Sequence, residues 1–167
     1  MVEQGLRGLT LTQPWASLFG RPKRIETRPW STNYRGLVAI HAAKMWPRWA
    51  IEYCFVEPFR KALLNAGMRK PADVPRGAIV AVGELVHVGG IYRLTNEIRV
   101  NGCEWTVQPT EQEFGDYTQG RFAWVFTDIT LLPEPIPCTG SQGLWTVPRE
   151  IAAQVFAQTE GVSPCLP

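Results

Sequence analysis

Lys23, Glu26 and Arg28 stand close together in Arg21-Pro-Lys-Arg-Ile-Glu-Thr-Arg28-Pro-Trp30. An ammonium, a carboxylate and a guanidinium at this spacing can hold an anion, act as a general base, or fix a hydrogen-bonding ligand. Side chains alternate in an extended segment, so Glu26 and Arg28 share one face, with Ile25 and Thr27 on the other. With Ile25 in the core, Glu26 and Arg28 turn towards a groove. The competing account is a solvated surface ion pair, contributing at most about 1 kcal/mol.

The neighbouring segments must position these groups. Leu9 to Thr12 alternates as a strand, and Gln13 to Gly20 is punctuated as a short helix. Thr12 or Gln13 suits its cap, Pro14 its first turn and Gly20 its exit. Trp15, Leu18 and Phe19 fall on one helical side; Trp15 is either core or a stacking surface lining a groove. Gly36 to His41 is a buried strand with His41 at its end, where it either faces a site or is hydrogen-bonded inside. The segment from Trp46 to Gly67 is mostly helical, divided at Pro58 and stopped by Gly67, and makes a packing layer over the sheet. Gly77 to Val88 is near-continuously apolar, which predicts a strand buried on both faces. Glu84 inside it then needs a partner, and Lys23, Arg28 or Arg121 could be one. Gly83 marks a bulge or a close backbone approach.

Ile98 to Val107 carries a hairpin signature around Asn101-Gly102. Arg121 to Leu132 is a second long strand, followed by an extended proline segment from Pro133 to Pro137. Cys138 to Gly143 is a glycine-bracketed loop that runs into an apolar strand at Trp145. Residues 148–160 form an amphipathic helix with Ile151, Val155 and Phe156 on one side. Long strands joined by turns and a few helices predict one domain spanning 1–167, mostly β with packed helices (α+β), as a small β-barrel.

Composition narrows the function classes. The chain has 167 residues, 45% of them hydrophobic and 19% charged, which supports a real core. A net charge of +2 does not suggest a protein that coats duplex DNA, but allows a local basic groove for a nucleotide or short single strand. No apolar run reaches membrane-spanning length, and the N-terminus lacks a secretory pattern. Cys54, Cys103, Cys138 and Cys165 have no paired spacing, so thiols in a reducing cytosol are expected, without metal or cofactor.

Six blocks occur in order along the chain. They are Leu11 to Ser17, Lys23-x-x-Glu26-x-Arg28, Tyr34-Arg-Gly36 with Ile40-His-Ala42, Gly77-Ala-Ile-Val, Phe122-Ala-Trp124, and Gly140-x-Gln-Gly-Leu-Trp145. Together they resemble the activating-signal-cointegrator homology (ASCH) family, across nearly the whole chain. The resemblance implies a PUA-like β-barrel with a cleft beside it for RNA, a single nucleotide or a nucleoside. Some small members of that family are amidohydrolases that deacetylate N4-acetylcytidine with a lysine, a threonine three residues later and a distant glutamate. Lys23 matches their lysine; Glu26 occupies the threonine's place, and Thr27 comes next, on the opposite strand face.

A nucleotide cleft needs cations for phosphate, an aromatic face for the base, and fixed donors and acceptors for its edge. Arg28, Arg35 and Lys23 are the candidate cations, and Trp15, Trp30 or Trp145 the stacking surface; Arg121 is a further nucleic-acid-binding candidate. Gln13, Gln142, Glu26 and the amides from Gly140 to Gly143 are the candidate edge readers, and His41 is a further nucleic-acid-binding candidate. The expected protein is a cytoplasmic RNA- or nucleotide-binding module that does not engage membranes. The alternative is a hydrolase of a modified nucleoside or of RNA, using Lys23 with Glu26 or Glu84 as base.

Overall fold

The computed structural model of the protein describes residues 5–103 and 105–159. Among these residues seven strands form one sheet: β1 (Arg7–Leu11), β2 (Ile25–Arg28), β3 (Gly36–Ala42), β4 (Ala78–Leu94), β5 (Glu97–Val100), β6 (Phe122–Pro137) and β7 (Leu144–Thr146). Their order is β2-β6-β4-β3-β1-β7, with β5 added to the far end of β4. All these pairings are antiparallel except β1 with β3. The α-helices among the described residues are α1 (Trp15–Leu18), α2 (Arg48–Glu52), α3 (Phe59–Asn65), α4 (Pro109–Gln112) and α5 (Arg149–Thr159).

Among the described residues the sheet is not a closed barrel, because no backbone pairing joins β2 to β1 or β7. The two sides of the break still lie within side-chain reach. Arg28 of β2 donates from Nη2 to the Thr10 carbonyl of β1 at 2.7 Å. The main core fills the concavity with Leu9, Leu11, Phe19, Ile40, Leu85, Trp124 and Phe126. Phe19, in the turn after α1, meets Phe126 edge-on with ring centroids 5.0 Å apart, an arrangement worth about 0.5–1.5 kcal/mol beyond burial.

Strand periodicity explains most of these elements, and three expectations need correction. β4 is buried on both faces only as far as Gly83; beyond it Glu84 and Val86 are exposed. The β4–β6 register shifts between Val82 and Glu84, so Gly83 sits at the predicted bulge. The bulge turns the next residues outward, and Glu84 lies between Leu37 and Thr127 on neighbouring strands, not beside Lys23. The hairpin is also displaced: β4 turns at Thr95 into β5, while the Asn101-Gly102 turn leads only to a single bridge between Arg99 and Thr106. Glu104 in that segment, and Glu160 and Cys165 beyond α5, lie outside the described residues.

The helical layer from Trp46 to Gly67 divides at Pro58 as expected, into α2 with a 3-10 turn (Tyr53–Phe55) and α3. Through Cys54, Phe59 and Leu63 it packs chiefly on Leu18 of α1 and on Phe114, in a cluster that holds no strand residue. Among the described residues no helix is long and apolar enough to cross a membrane.

Candidate functional site

Two hollows flank the break in the sheet, and Arg28 lines both. The first, of about 520 Å³, is built from β2, α1, α2, α3 and the loop before β6. Its volume is that of an ordinary small-molecule pocket. β2 has the predicted alternation: Ile25 and Thr27 are buried, while Glu26 and Arg28 are partly exposed on the opposite face. Gly20, with φ of +75°, reverses the chain after α1, and its N–H donates to the Lys23 carbonyl at 2.8 Å. A residue with a Cβ there would collide with Ile129 at 2.6 Å. This turn drives Lys23 inward.

Lys23 is only 1% exposed, and its ammonium has two protein partners. It donates to the Ile25 carbonyl and pairs with Glu26 Oε2 at 3.0 Å. Glu26 Oε1 lies 3.4 Å from Arg28 Nε, so the carboxylate is held between two cations. Behind this pair, α4 brings Glu111 to accept hydrogen bonds from the backbone N–H of Arg24 and Ile25 at 3.0 and 2.9 Å. Burial pushes the Glu111 carboxyl above its ordinary range, opposed by those N–H groups and by Lys23. Tyr117 donates to it at 3.5 Å, and burial with the nearby carboxylates pushes that phenol far above its usual value. Arg121 donates to the Thr27 carbonyl at 3.0 Å and lies 3.4 Å from Asp116.

The outer wall is aromatic. Trp15 stands 6.0 Å from Trp49, 5.0 Å from Tyr53 and 5.5 Å from Phe59, centroid to centroid. Trp49 and Tyr53 are four residues apart on α2 and the turn that continues it, which puts them on the same side. That spacing is a legible signal in the chain, although the segment as a whole reads as packing. Sequence reasoning also misses Glu111 and Asp116. Glu111 carries no local signature, because its partners lie 86 and 87 residues away.

The second hollow, of about 1090 Å³, is lined by Thr10, Arg28, Trp30, His41, Lys44, Arg76 and the loop from Cys138 to Gly143. Trp30 packs edge-on against the buried Trp124 at 4.6 Å. The glycine loop and Gln142 therefore belong here, beside the first hollow and not within it. His41 is buried; it donates from Nε2 to the Cys138 carbonyl at 2.9 Å, since a carbonyl can only accept, and its Nδ1 lies 3.2 Å from the Thr10 hydroxyl. Burial holds its pKa below the ordinary histidine value, partly offset by the Cys138 carbonyl.

This depressed pKa makes stability depend on pH. A folded-state pKa below the unfolded one contributes stability that is complete above the unfolded value of 6.5 and lost as pH falls through the folded value. Urea unfolding of wild type should show declining stability below pH 6.5, and His41→Gln should flatten that decline. An unchanged slope in the variant would assign the titration to another group.

Gly140 is required by contact with this histidine. A Cβ there would run into the His41 ring and lie 2.7 Å from Thr10 Oγ1. Gly140→Ala is expected to cost about 1–3 kcal/mol by overpacking, read from the urea midpoint. A loss under about 0.5 kcal/mol would mean that the loop yields freely.

Four predicted site residues line neither hollow. Gln13 is fully buried, donating to the Pro75 carbonyl at 2.6 Å and accepting from the Ser17 N–H at 3.0 Å, so it anchors α1 and reads no ligand. Arg35 folds back on its own turn, donating to the Thr32 and Tyr34 carbonyls. Trp145 donates to Thr10 Oγ1 at 3.2 Å and packs into the cluster beneath α5. Glu84 faces outward from the sheet, which removes it as a partner for Lys23. The structure does gather Lys23, Glu26, Arg28, Trp15 and Arg121 around the first hollow, and Arg28, Trp30, His41 and Gln142 around the second. Comparison of this chain with known protein families and with curated proteins finds no match.

Proposed function

We infer that the protein is an RNA- or nucleotide-binding module of the ASCH family that takes a base or modified nucleoside into the first hollow. The observation that carries this reading is Glu26. Its carboxylate is ion-paired with Lys23 and Arg28 and sits beside a wall of Trp15, Trp49, Tyr53 and Phe59. A carboxylate in that state only accepts hydrogen bonds, so it selects a base edge that presents N–H donors. The rings supply the stacking face, and Arg28 and Arg121 the positive charge. On this reading the sheet is a PUA-like barrel opened beside β2, and the Arg28 bond to Thr10 across the break supports it.

The hydrolase reading would need the Lys23 ammonium free to lose a proton or hold water. Its hydrogen bond to the Ile25 carbonyl and its ion pair with Glu26 tie it to the protein, which favours a positioning role: Lys23 fixes Glu26. Calorimetric titration with short single-stranded RNAs and with unmodified and modified nucleosides tests the binder. Saturable binding is expected, and Glu26→Gln should weaken it about 10- to 100-fold, the size of a charge-assisted hydrogen bond. No saturable binding to any of them, or an unaffected Glu26→Gln variant, would remove the reading. N4-acetylcytidine turnover that Glu26→Gln abolishes would instead favour the hydrolase.

A further inference from the structure

The charge of the two hollows differs in kind. The first balances Lys23, Arg28 and Arg121 against Glu26, Glu113 and Asp116. The second has Arg28, Lys44 and Arg76 in its walls and, among the described residues, no carboxylate. Lys44 and Arg76 are exposed, and neither forms an ion pair among the described residues. Arg76 is held over the Trp46 ring at 5.9 Å, which orients the guanidinium without neutralising it. Opposite these cations the loop contributes Thr139, Gly140, Ser141, Gln142 and Gly143, small or polar residues that expose the backbone. The backbone N–H groups of Gly140, Ser141 and Gln142 donate to no protein group among the described residues. Amides without a protein acceptor and cations without an ion-pair partner, lining one hollow, are the groups from which anion-binding concavities are made.

We propose that this second hollow binds the phosphate of a nucleotide adjoining the base held in the first, so that the preferred ligand is a strand and not a free nucleoside. The proposal rests on the reading of the first hollow for the placing of the base, while the phosphate site derives from the cationic walls alone. Arg28 belongs to both hollows and is anchored by the Thr10 carbonyl and by Glu26, so it sits where the backbone would pass from one to the other. Trp30 offers the second hollow an aromatic surface for the neighbouring base. Phosphate contacts position a strand without reading its sequence, so this hollow sets affinity and salt dependence while Glu26 sets base choice.

The test uses three probes: free nucleosides, a single-stranded RNA tetranucleotide and an abasic tetranucleotide strand. Wild type should bind the tetranucleotide at least about tenfold tighter than the best nucleoside, with affinity falling steeply with salt. The double variant Lys44→Gln, Arg76→Gln should collapse that strand-to-nucleoside ratio. It should also lower the slope of log affinity against log salt by about 1.4, as two phosphate contacts on a single strand are lost. The abasic strand should shift the amide resonances of Gly140 and Gly143 in wild type and not in the double variant. Equal affinities for strand and nucleoside, or an unchanged salt slope, would overturn the proposal while leaving the first hollow as a nucleoside site. Loss of all base dependence with the abasic strand still shifting Gly140 would remove the reading of the first hollow and leave the phosphate site standing.

Discussion

Lys23→Ala is expected to destabilise the protein by about 3–5 kcal/mol, the penalty for stripping one partner from a buried ion pair. Surface ion pairs are worth far less, so the size of the effect depends on burial. Lys23 is 1% and Glu26 14% exposed as side chains, which places this pair in the costly class. Three groups lose a partner at once. Glu26 keeps only the 3.4 Å contact to Arg28, the Ile25 carbonyl loses its donor, and the buried Glu111 loses the positive charge that opposes its desolvation. Truncation also leaves the volume of the lysine stem empty. The double variant Lys23→Met, Glu26→Gln should be more stable than Lys23→Ala, because it keeps the volume and leaves no lone carboxylate at position 26. Urea unfolding reads both. A loss under about 1 kcal/mol for Lys23→Ala would mean that water reaches the pair, and that Lys23 does not fix Glu26.

Trp49→Ala should separate binding from folding. Trp49 is 58% exposed, so its removal is expected to change stability by no more than about 0.5 kcal/mol. Its ring nevertheless faces Trp15 at 6.0 Å and Tyr53 at 6.4 Å along the mouth of the first hollow. If a base stacks there, the variant should lose about 1–3 kcal/mol of binding, or roughly 5- to 150-fold in Kd. Tryptophan fluorescence and calorimetry with the same single-stranded RNAs measure it. Unchanged affinity in a stably folded variant would assign the aromatic wall to packing and leave the hollow without a stacking surface. Lys23→Ala cannot make that distinction, because its loss of binding could arise from loss of fold.

The two substitutions act on opposite sides of the same hollow, and their difference reflects how it is built. The inner side consists of buried charges locked by the backbone of β2 and by Glu111 from α4. The outer side consists of exposed rings on α2 and the turn after it, which rest on α1. Substitutions at the buried floor are therefore expected to act on stability, and those at the exposed rim on any ligand the hollow takes.

Local chemistry is readable in the chain. The two-residue alternation that turns Glu26 and Arg28 together, the break at Pro58, the stop at Gly67 and the bulge at Gly83 all appear as expected. Each depends on backbone dihedrals and side-chain direction within a few residues, which a sequence encodes directly. Partnership across the chain is not readable. Glu84 reads as a buried carboxylate, but the bulge turns it outward; Gln13 reads as a ligand contact, but Pro75 and Ser17 take both ends of its amide. Glu111 has no signal at all. Its role exists only because α4 packs against residues far earlier in the chain.

The amino-acid sequence alone determined that an ammonium, a carboxylate and a guanidinium would gather on and beside one short strand, and roughly where strands and helices would run. Only the tertiary structure decided that Arg28 would divide two hollows and that the glycine loop would serve the second, more basic one. The physical reason is that a strand's facing is set by its own period, whereas the identity of the opposite wall depends on which distant strand closes beside it.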